Sequence, residues 1–82
     1  MLEVLKDKDK KKAVGTKQSL KAIQNGMAHT VFIAKDADER ITSDVKELCN
    51  KSSIPIVYVD SMKQLGKACN IEVGAAVAVL LK

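Results

Sequence analysis

Apolar residues recur along the chain in two rhythms. Leu20, Ile23 and Met27 fall three to four positions apart, the spacing that lines one side of an α-helix. That helix is predicted over 16–25. It ends at Asn25-Gly26, which tolerate a left-handed backbone. Thr16 is its expected N-cap. Lys17 and Lys21 share another face, with Gln18 beside them. Ile41, Val45, Leu48 and Cys49 repeat the helical spacing. Asp38, Thr42 and Ser43 are candidate caps for this second helix, and Asp44 with Glu47 also has capping-box spacing. Ser61 and Gln64 form a further capping box ahead of a short helix with Met62 and Leu65 on its apolar side. Gly66 lowers the helix propensity there, so packing must hold that segment.

The second rhythm is the continuous apolar run. Thr30 to Ala34 lacks polar alternation, which predicts a strand buried on both faces. Ile54 to Val59 is another such run, with Pro55 near its start where a missing amide is tolerated. Phe32 is expected in the core, and Tyr58 is expected to anchor it. Ala75 to Leu81 closes the chain as a strand whose alanines allow close helix packing. Residues 31–59 have the size of a strand–helix–strand unit with parallel strands. Strands are placed at 12–15, 30–35, 55–59 and 75–81. Met1 to Leu5 reads as a short helix with Val4 and Leu5 inward, and Asp7 to Lys10 as a solvated turn. The expected architecture is a single α/β domain over 1–82, a three-layer α/β/α sandwich around a small four-stranded mixed sheet.

Composition narrows the function. Eighty-two residues leave no room for two mononucleotide-binding halves. The longest apolar run, 75–81, is too short to span a bilayer. Two cysteines, Cys49 and Cys69, are too few for a disulfide scaffold, and Cys49 reads as core filling. These features predict a soluble cytoplasmic protein with no membrane partner. The formal charge is +4, unevenly spread: residues 1–35 carry 8 lysines against 3 acids, whereas 36–53 carry 3 basic and 5 acidic residues. A basic N-terminal half suits a polyanion.

Catalysis has poor material. His29 is the one histidine and reads as an exposed turn residue with no nucleophile and orienting acid beside it. Asp36, Asp38 and Glu39 lack a cation-loop spacing and suit capping or solvation. No enzyme, metal or cofactor is expected. Anion binding has better material: Gly15 lets the backbone approach a ligand closely, and the first-turn amides after Thr16 point outward at the positive end of a helix dipole. Lys17 and Lys21 add two cations, although each alone reads equally well as a solvated lysine. Gln18 carries both a donor and an acceptor and can read a base edge. Ile71-Glu72-Val73-Gly74 is the second candidate surface. Its two branched residues either pack inward as the last strand begins or cover an unstacked base.

The stretches Gly15-Thr16-Lys17-Gln18-Ser19-Leu20-Lys21 and Leu65-Gly66-Lys67-Ala68-Cys69-Asn70-Ile71-Glu72-Val73-Gly74-Ala75-Ala76 occur in order and at the right separation. On these the chain, from about Lys12 to Leu81, resembles the ribosomal-protein family that binds kink-turn RNA, typified by archaeal ribosomal protein L7Ae. It looks closest to the short bacterial members. The resemblance implies a non-catalytic protein that stabilises kink-turns, with a structured RNA as partner and the ribosome as one possible setting, acting as a monomer. It implies that the helix beginning at Thr16 enters the widened major groove and contacts tandem sheared G·A pairs. Loop 71–73 would cover a base extruded from the bulge. Gly15 would keep the junction close to the RNA, and Lys17, Lys21, Lys35 and Lys67 would neutralise phosphates. The sequence departs from the archaeal pattern where Lys17-Gln18 replace Asn-Glu, where Gly74 replaces a frequent Ala, and where Met62 replaces a frequent Lys. A protein–protein adaptor in ribosome assembly, meeting a basic partner through the acidic 36–53 segment, is the alternative function.

Overall fold

The structure is a computed structural model that describes Leu5 and residues 11–82. Four strands and three helices alternate through the described residues: β1 (Lys12–Val14), α1 (Thr16–Gln24), β2 (Ala28–Ala34), α2 (Glu39–Ser52), β3 (Ile56–Val59), α3 (Met62–Ala68) and β4 (Val77–Leu81). The expectations for Met1 to Val4 and for Asp7 to Lys10 lie outside the described residues.

The sheet is mixed, in the order β1-β4-β2-β3. β2 and β3 run parallel, with Val31 opposite Ile56 and Ala34 opposite Val59. β4 lies antiparallel to both its neighbours, pairing Ile33 with Val77 and Val14 with Ala78. Side chains alternate between the two faces of a strand. Val31, Ile33, Val77 and Val79 pack with Ala22 and Ile23 of α1 and Val45 and Cys49 of α2. Phe32, Ala34, Ala78 and Leu80 pack with Leu65 and Ala68 of α3 and with Leu5. Helices therefore cover both faces of the central strands, the three-layer α/β/α arrangement. Double coverage is why β2 and β4 read as unbroken apolar runs.

Several local expectations are corrected. β2 begins earlier, at Ala28, which pairs with Leu81 across an irregularity in the ladder. His29 is thus an exposed strand residue, its Nδ1 2.8 Å from Thr30 Oγ1. β4 starts at Val77 rather than Ala75, and β3 starts after Pro55, whose carbonyl accepts from Val31 N–H at 3.0 Å. Met27 lies beyond the end of α1 and is half exposed; fully buried Ser19 takes an inward position with Ala22 and Ile23. Ile41 likewise faces out while Thr42 is buried. Tyr58 does not anchor the core. It lies on edge strand β3, half exposed, with Lys46 Nζ 5.7 Å from its ring centroid. Asp38 is the cap that α2 uses, its carboxylate accepting from Arg40 N–H at 2.9 Å.

Candidate nucleic-acid interface

β1, β2 and β3 all point the same way, because β4 is antiparallel to β1 and β2 and β2 is parallel to β3. Their C-terminal ends and the start of β4 therefore share one edge, and each of the three helices begins there. Gly15 N–H donates to Val77 O at 2.9 Å, Ala34 N–H to Ala76 O at 2.9 Å, and Lys35 N–H to Val59 O at 2.7 Å. Gly15 and Lys35 flank the entry to β4, about 10 Å apart at two strand spacings.

Gly15 itself is the N-cap of α1, at φ 100° and ψ 156°. Thr16 is the first helical residue and not the cap. The reason is backbone geometry: the junction needs a positive φ, which glycine adopts without steric cost. The Gly15 carbonyl accepts from Ser19 N–H at 2.9 Å, the first helical bond. No side chain among the described residues caps α1, and its first turn has no acid. The amides of Thr16, Lys17 and Gln18 precede that first bond and face outward from the helix end. α2 and α3 differ, since Asp38 and Ser61 cap them.

Lys17, Gln18 and Lys21 are exposed, and Thr16 and Gly15 are partly covered. Lys17 and Lys21 border one shallow depression with Leu20 and Gln24. Gln18 and Lys21 border another, about 230 Å³, with Ala13, Asn25, Met27 and Leu81. Lys21 thus joins the two sides of the exposed helix face. Neither Lys17 nor Lys21 makes an ion pair with another described residue, whereas Lys35 Nζ lies 3.5 Å from Asp60 Oδ1 with both side chains largely solvated.

The loop at 71–73 lies on the α3 side of the same edge. Ile71 N–H donates to Gly66 O at 3.0 Å near the end of α3, and Ala75 N–H donates to Met62 O at 3.0 Å at its start. The loop therefore runs back along α3 toward the sheet edge. The two branched residues divide: Ile71 is partly buried against the core, while Val73 is 71% exposed beside exposed Glu72. Gly66 matters by its lack of a side chain, because a Cβ there would overlap Val73 O. A Cβ on Gly74 would stand 3.1 Å from Met62 Cβ.

The edge thus gathers Gly15, Thr16, Lys17, Gln18 and Lys35, with Lys21 one turn further along α1 and the loop Ile71–Val73 approaching from the other face. Lys67 is exposed but sits in the last turn of α3, at the end away from the edge and across the sheet from α1. Asp36, expected to cap or to be solvated, accepts through Oδ1 from Met62 N–H at 2.7 Å, at the start of α3; sequence reasoning missed that partner, and Asp60 beside Lys35. Twenty-six residues separate Asp36 from Met62, so no local spacing signals that bond. Burial pushes the Cys49 and Cys69 thiols upward in pKa, which suits packing rather than reactivity. No group of three or more potential metal ligands occurs among the described residues, and no helix among them is long and apolar enough to cross a membrane.

A family model described as "Ribosomal protein L7Ae/L30e/S12e/Gadd45 family" matches residues 1–82. A protein of Caldanaerobacter subterraneus named as an RNA-binding protein is 52% identical over 68 residues, 83% of each chain. RNA-binding protein YbxF of Geobacillus stearothermophilus is 46% identical over 69 residues, 84% of each chain. Among solved structures, the Giardia lamblia 15.5kD RNA binding protein superposes with a TM-score of 0.87 at 30% identity, covering 99% of this chain and 68% of that one. A protein of Bacillus halodurans, titled as of unknown function, shares the fold at TM-score 0.85 and 23% identity, covering 99% of this chain and 80% of its own.

Proposed function

The chain belongs to the ribosomal protein L7Ae/L30e/S12e/Gadd45 family, and we propose that it is a non-catalytic RNA-binding protein that recognises and stabilises kink-turn motifs. The observation that carries this reading is the uncapped start of α1, bearing Lys17, Gln18 and Lys21, joined through the Gly15–Val77 bond to a loop that exposes Val73. Relatives named as RNA-binding proteins support it.

In this mechanism the start of α1 enters the widened major groove at the kink, which an ordinary A-form helix would close to it. The amides of Thr16 and Lys17 face phosphate, aided by the helix dipole. Lys17, Lys21 and Lys35 reduce the repulsion between phosphates that the kink crowds together, and Lys67 acts from the far end of α3. Gln18 bonds the edges of the G·A pairs through a neutral amide, without the charge assistance a carboxylate would give. Val73 covers the extruded base, with Ile71 packed beneath as support. Binding the kinked form better than the extended one shifts the RNA toward the kink. The protein acts as a monomer in the cytoplasm, on an RNA inside or outside the ribosome.

The test is a set of binding isotherms on a kink-turn RNA at several salt concentrations. Lys21→Ala is expected to weaken binding and to reduce the slope of log K against log salt by roughly one. Unchanged affinity and slope would remove Lys21 from the interface. A groove of about 310 Å³ between α1 and α2, lined by Leu20 and Leu48 with Asp44, Glu47 and Lys51, the last 3.8 Å from Glu47, favours a second reading, an adaptor for a basic protein in ribosome assembly that Asp44 would meet. Protein that bound a ribosomal protein but no kink-turn RNA would favour that reading.

A further inference from the structure

Val73 can cover a base only if its loop already stands in the right place, and residues 69–76 contain no regular structure to hold it there. The loop is fixed instead at three points on α3 and, at its C-terminal end, to β2 through Ala34 N–H to Ala76 O at 2.9 Å. Ile71 N–H bonds Gly66 O, the Val73 carbonyl lies where a Gly66 Cβ would be, and Ala75 N–H bonds Met62 O at 3.0 Å. Between Ile71 and Ala75 its course is therefore set by α3, while Ala76 is held by the sheet. That helix has seven residues, about two turns, and a helix so short does not hold its own geometry in water. It carries Gly66 in its middle, which weakens it further.

Two side chains tie its start. Ser61 Oγ accepts from Gln64 N–H at 3.1 Å, a bond local to the helix. Asp36 reaches in from the β2–α2 connection, and its carboxylate accepts from Met62 N–H at 2.7 Å. The connection that carries Asp36 is itself bound to the sheet through Ala34 N–H to Ala76 O and Lys35 N–H to Val59 O. Asp36 thus links the rigid sheet to Met62, and Met62 O holds Ala75 at the far end of the loop. A carboxylate accepting from an amide makes a stronger bond than a neutral pair.

We propose that Asp36 is a positioning residue that sets how selectively loop 71–73 recognises the extruded base of the RNA. This rests on the kink-turn reading above. Asp36 need not touch RNA; it fixes the N-terminus of α3, and α3 fixes Val73. Its removal loosens the loop while leaving α1, on the other face of the sheet, in place. Base recognition is lost and phosphate neutralisation is kept.

The experiment compares wild type, Asp36→Ala and Asp36→Asn on two RNAs, a kink-turn and the same kink-turn with an abasic site at the extruded nucleotide. Wild type is expected to prefer the intact RNA by about tenfold, equivalent to about 1.4 kcal/mol. Asp36→Ala brings that ratio close to one with an unchanged salt slope. Asp36→Asn retains most of the preference, because its side-chain oxygen still accepts from Met62 N–H. An unchanged ratio in Asp36→Ala overturns the proposal, as does an Asn variant that fails as completely as the Ala variant. Amide hydrogen exchange on the free proteins separates this from failure of the kink-turn reading. Faster exchange at Met62, Ile71 and Ala75 in Asp36→Ala, with the amides of β2 and β4 unaffected, establishes the tether whatever the ligand. Unchanged exchange at those three amides overturns it without any RNA. Wild type that ignores the abasic change while Asp36→Ala shows the faster exchange overturns the base-covering role of the loop, and the selectivity claim with it.

Discussion

At the scale of single residues, two glycines do different work. No described residue crowds Gly15, and its constraint is the backbone: φ 100° with ψ 156° is a region essentially reserved for glycine. Gly66 has ordinary helical geometry, and its constraint is contact, since an added methyl meets the Val73 carbonyl. Gly66→Ala replaces the poorer helix former with the best one, yet it is expected to destabilise the protein by about 1–3 kcal/mol, the usual cost of overpacking. Urea denaturation checks the sign, and a gain in stability would show that the loop can move aside freely. The sequence signals for these residues were uneven. Gly15 next to a helical stripe is a visible junction, and Gly66 could be recognised as a weak point needing support. Its contact came from Val73, seven residues downstream, and the bond from Asp36 to Met62 came from twenty-six residues upstream of Met62. Neither separation has a periodic signature, so both required the folded chain.

At the scale of elements, the helices are distinguished by how they begin. α2 has Asp38 as its cap, with Glu39 following in its first turn. The Arg40 guanidinium, bonded at 2.9 Å, and then the Arg40 N–H hold the Asp38 carboxyl below its ordinary pKa. Because the folded-state value is depressed, this contribution to stability is present above the ordinary carboxylate range. It is lost as the pH falls through the lower, folded-state value. Arg40→Ala removes the larger cause, so the Asp38 titration followed by carboxyl NMR is expected to move back up; an unmoved midpoint would assign the shift to the backbone bond alone. α1 begins with no such cap, and an acid there would oppose any polyanion. Helix existence was legible from the stripes, but their phase was not. Met27 and Ile41 fit the spacing and face out, while Ser19 and Thr42 do not look apolar and are buried. A small side chain can occupy the inward position as well as a large one, which a reading of hydrophobicity alone overlooks. Tyr58 shows the same limit in a strand: an apolar run does not reveal whether its strand is central or at an edge.

At the scale of the molecule, the two faces of the sheet carry the two halves of the proposed interface, α1 on one and the loop supported by α3 on the other. Phe32 is fully buried on the α3 side of β2, and Val31 and Ile33 alternate with it on the α1 side. Phe32→Ala is expected to cost about 3–5 kcal/mol, a large part of the 5–15 kcal/mol typical of a whole domain. Helical circular dichroism and the Tyr58 signal should still fall in one transition, because the same strands serve both faces; two separated transitions would show that the layers unfold independently. The topology also has a temporal consequence. β4 is the last strand in chain order but lies between β1 and β2, and among the described residues it is the only hydrogen-bonded neighbour that β1 has. During translation, β1 therefore waits through the emergence of more than sixty residues for its partner. Gly15 cannot be fixed before Val77 arrives, so a nascent chain halted short of that residue has the lysines of α1 but no assembled surface on which to present them.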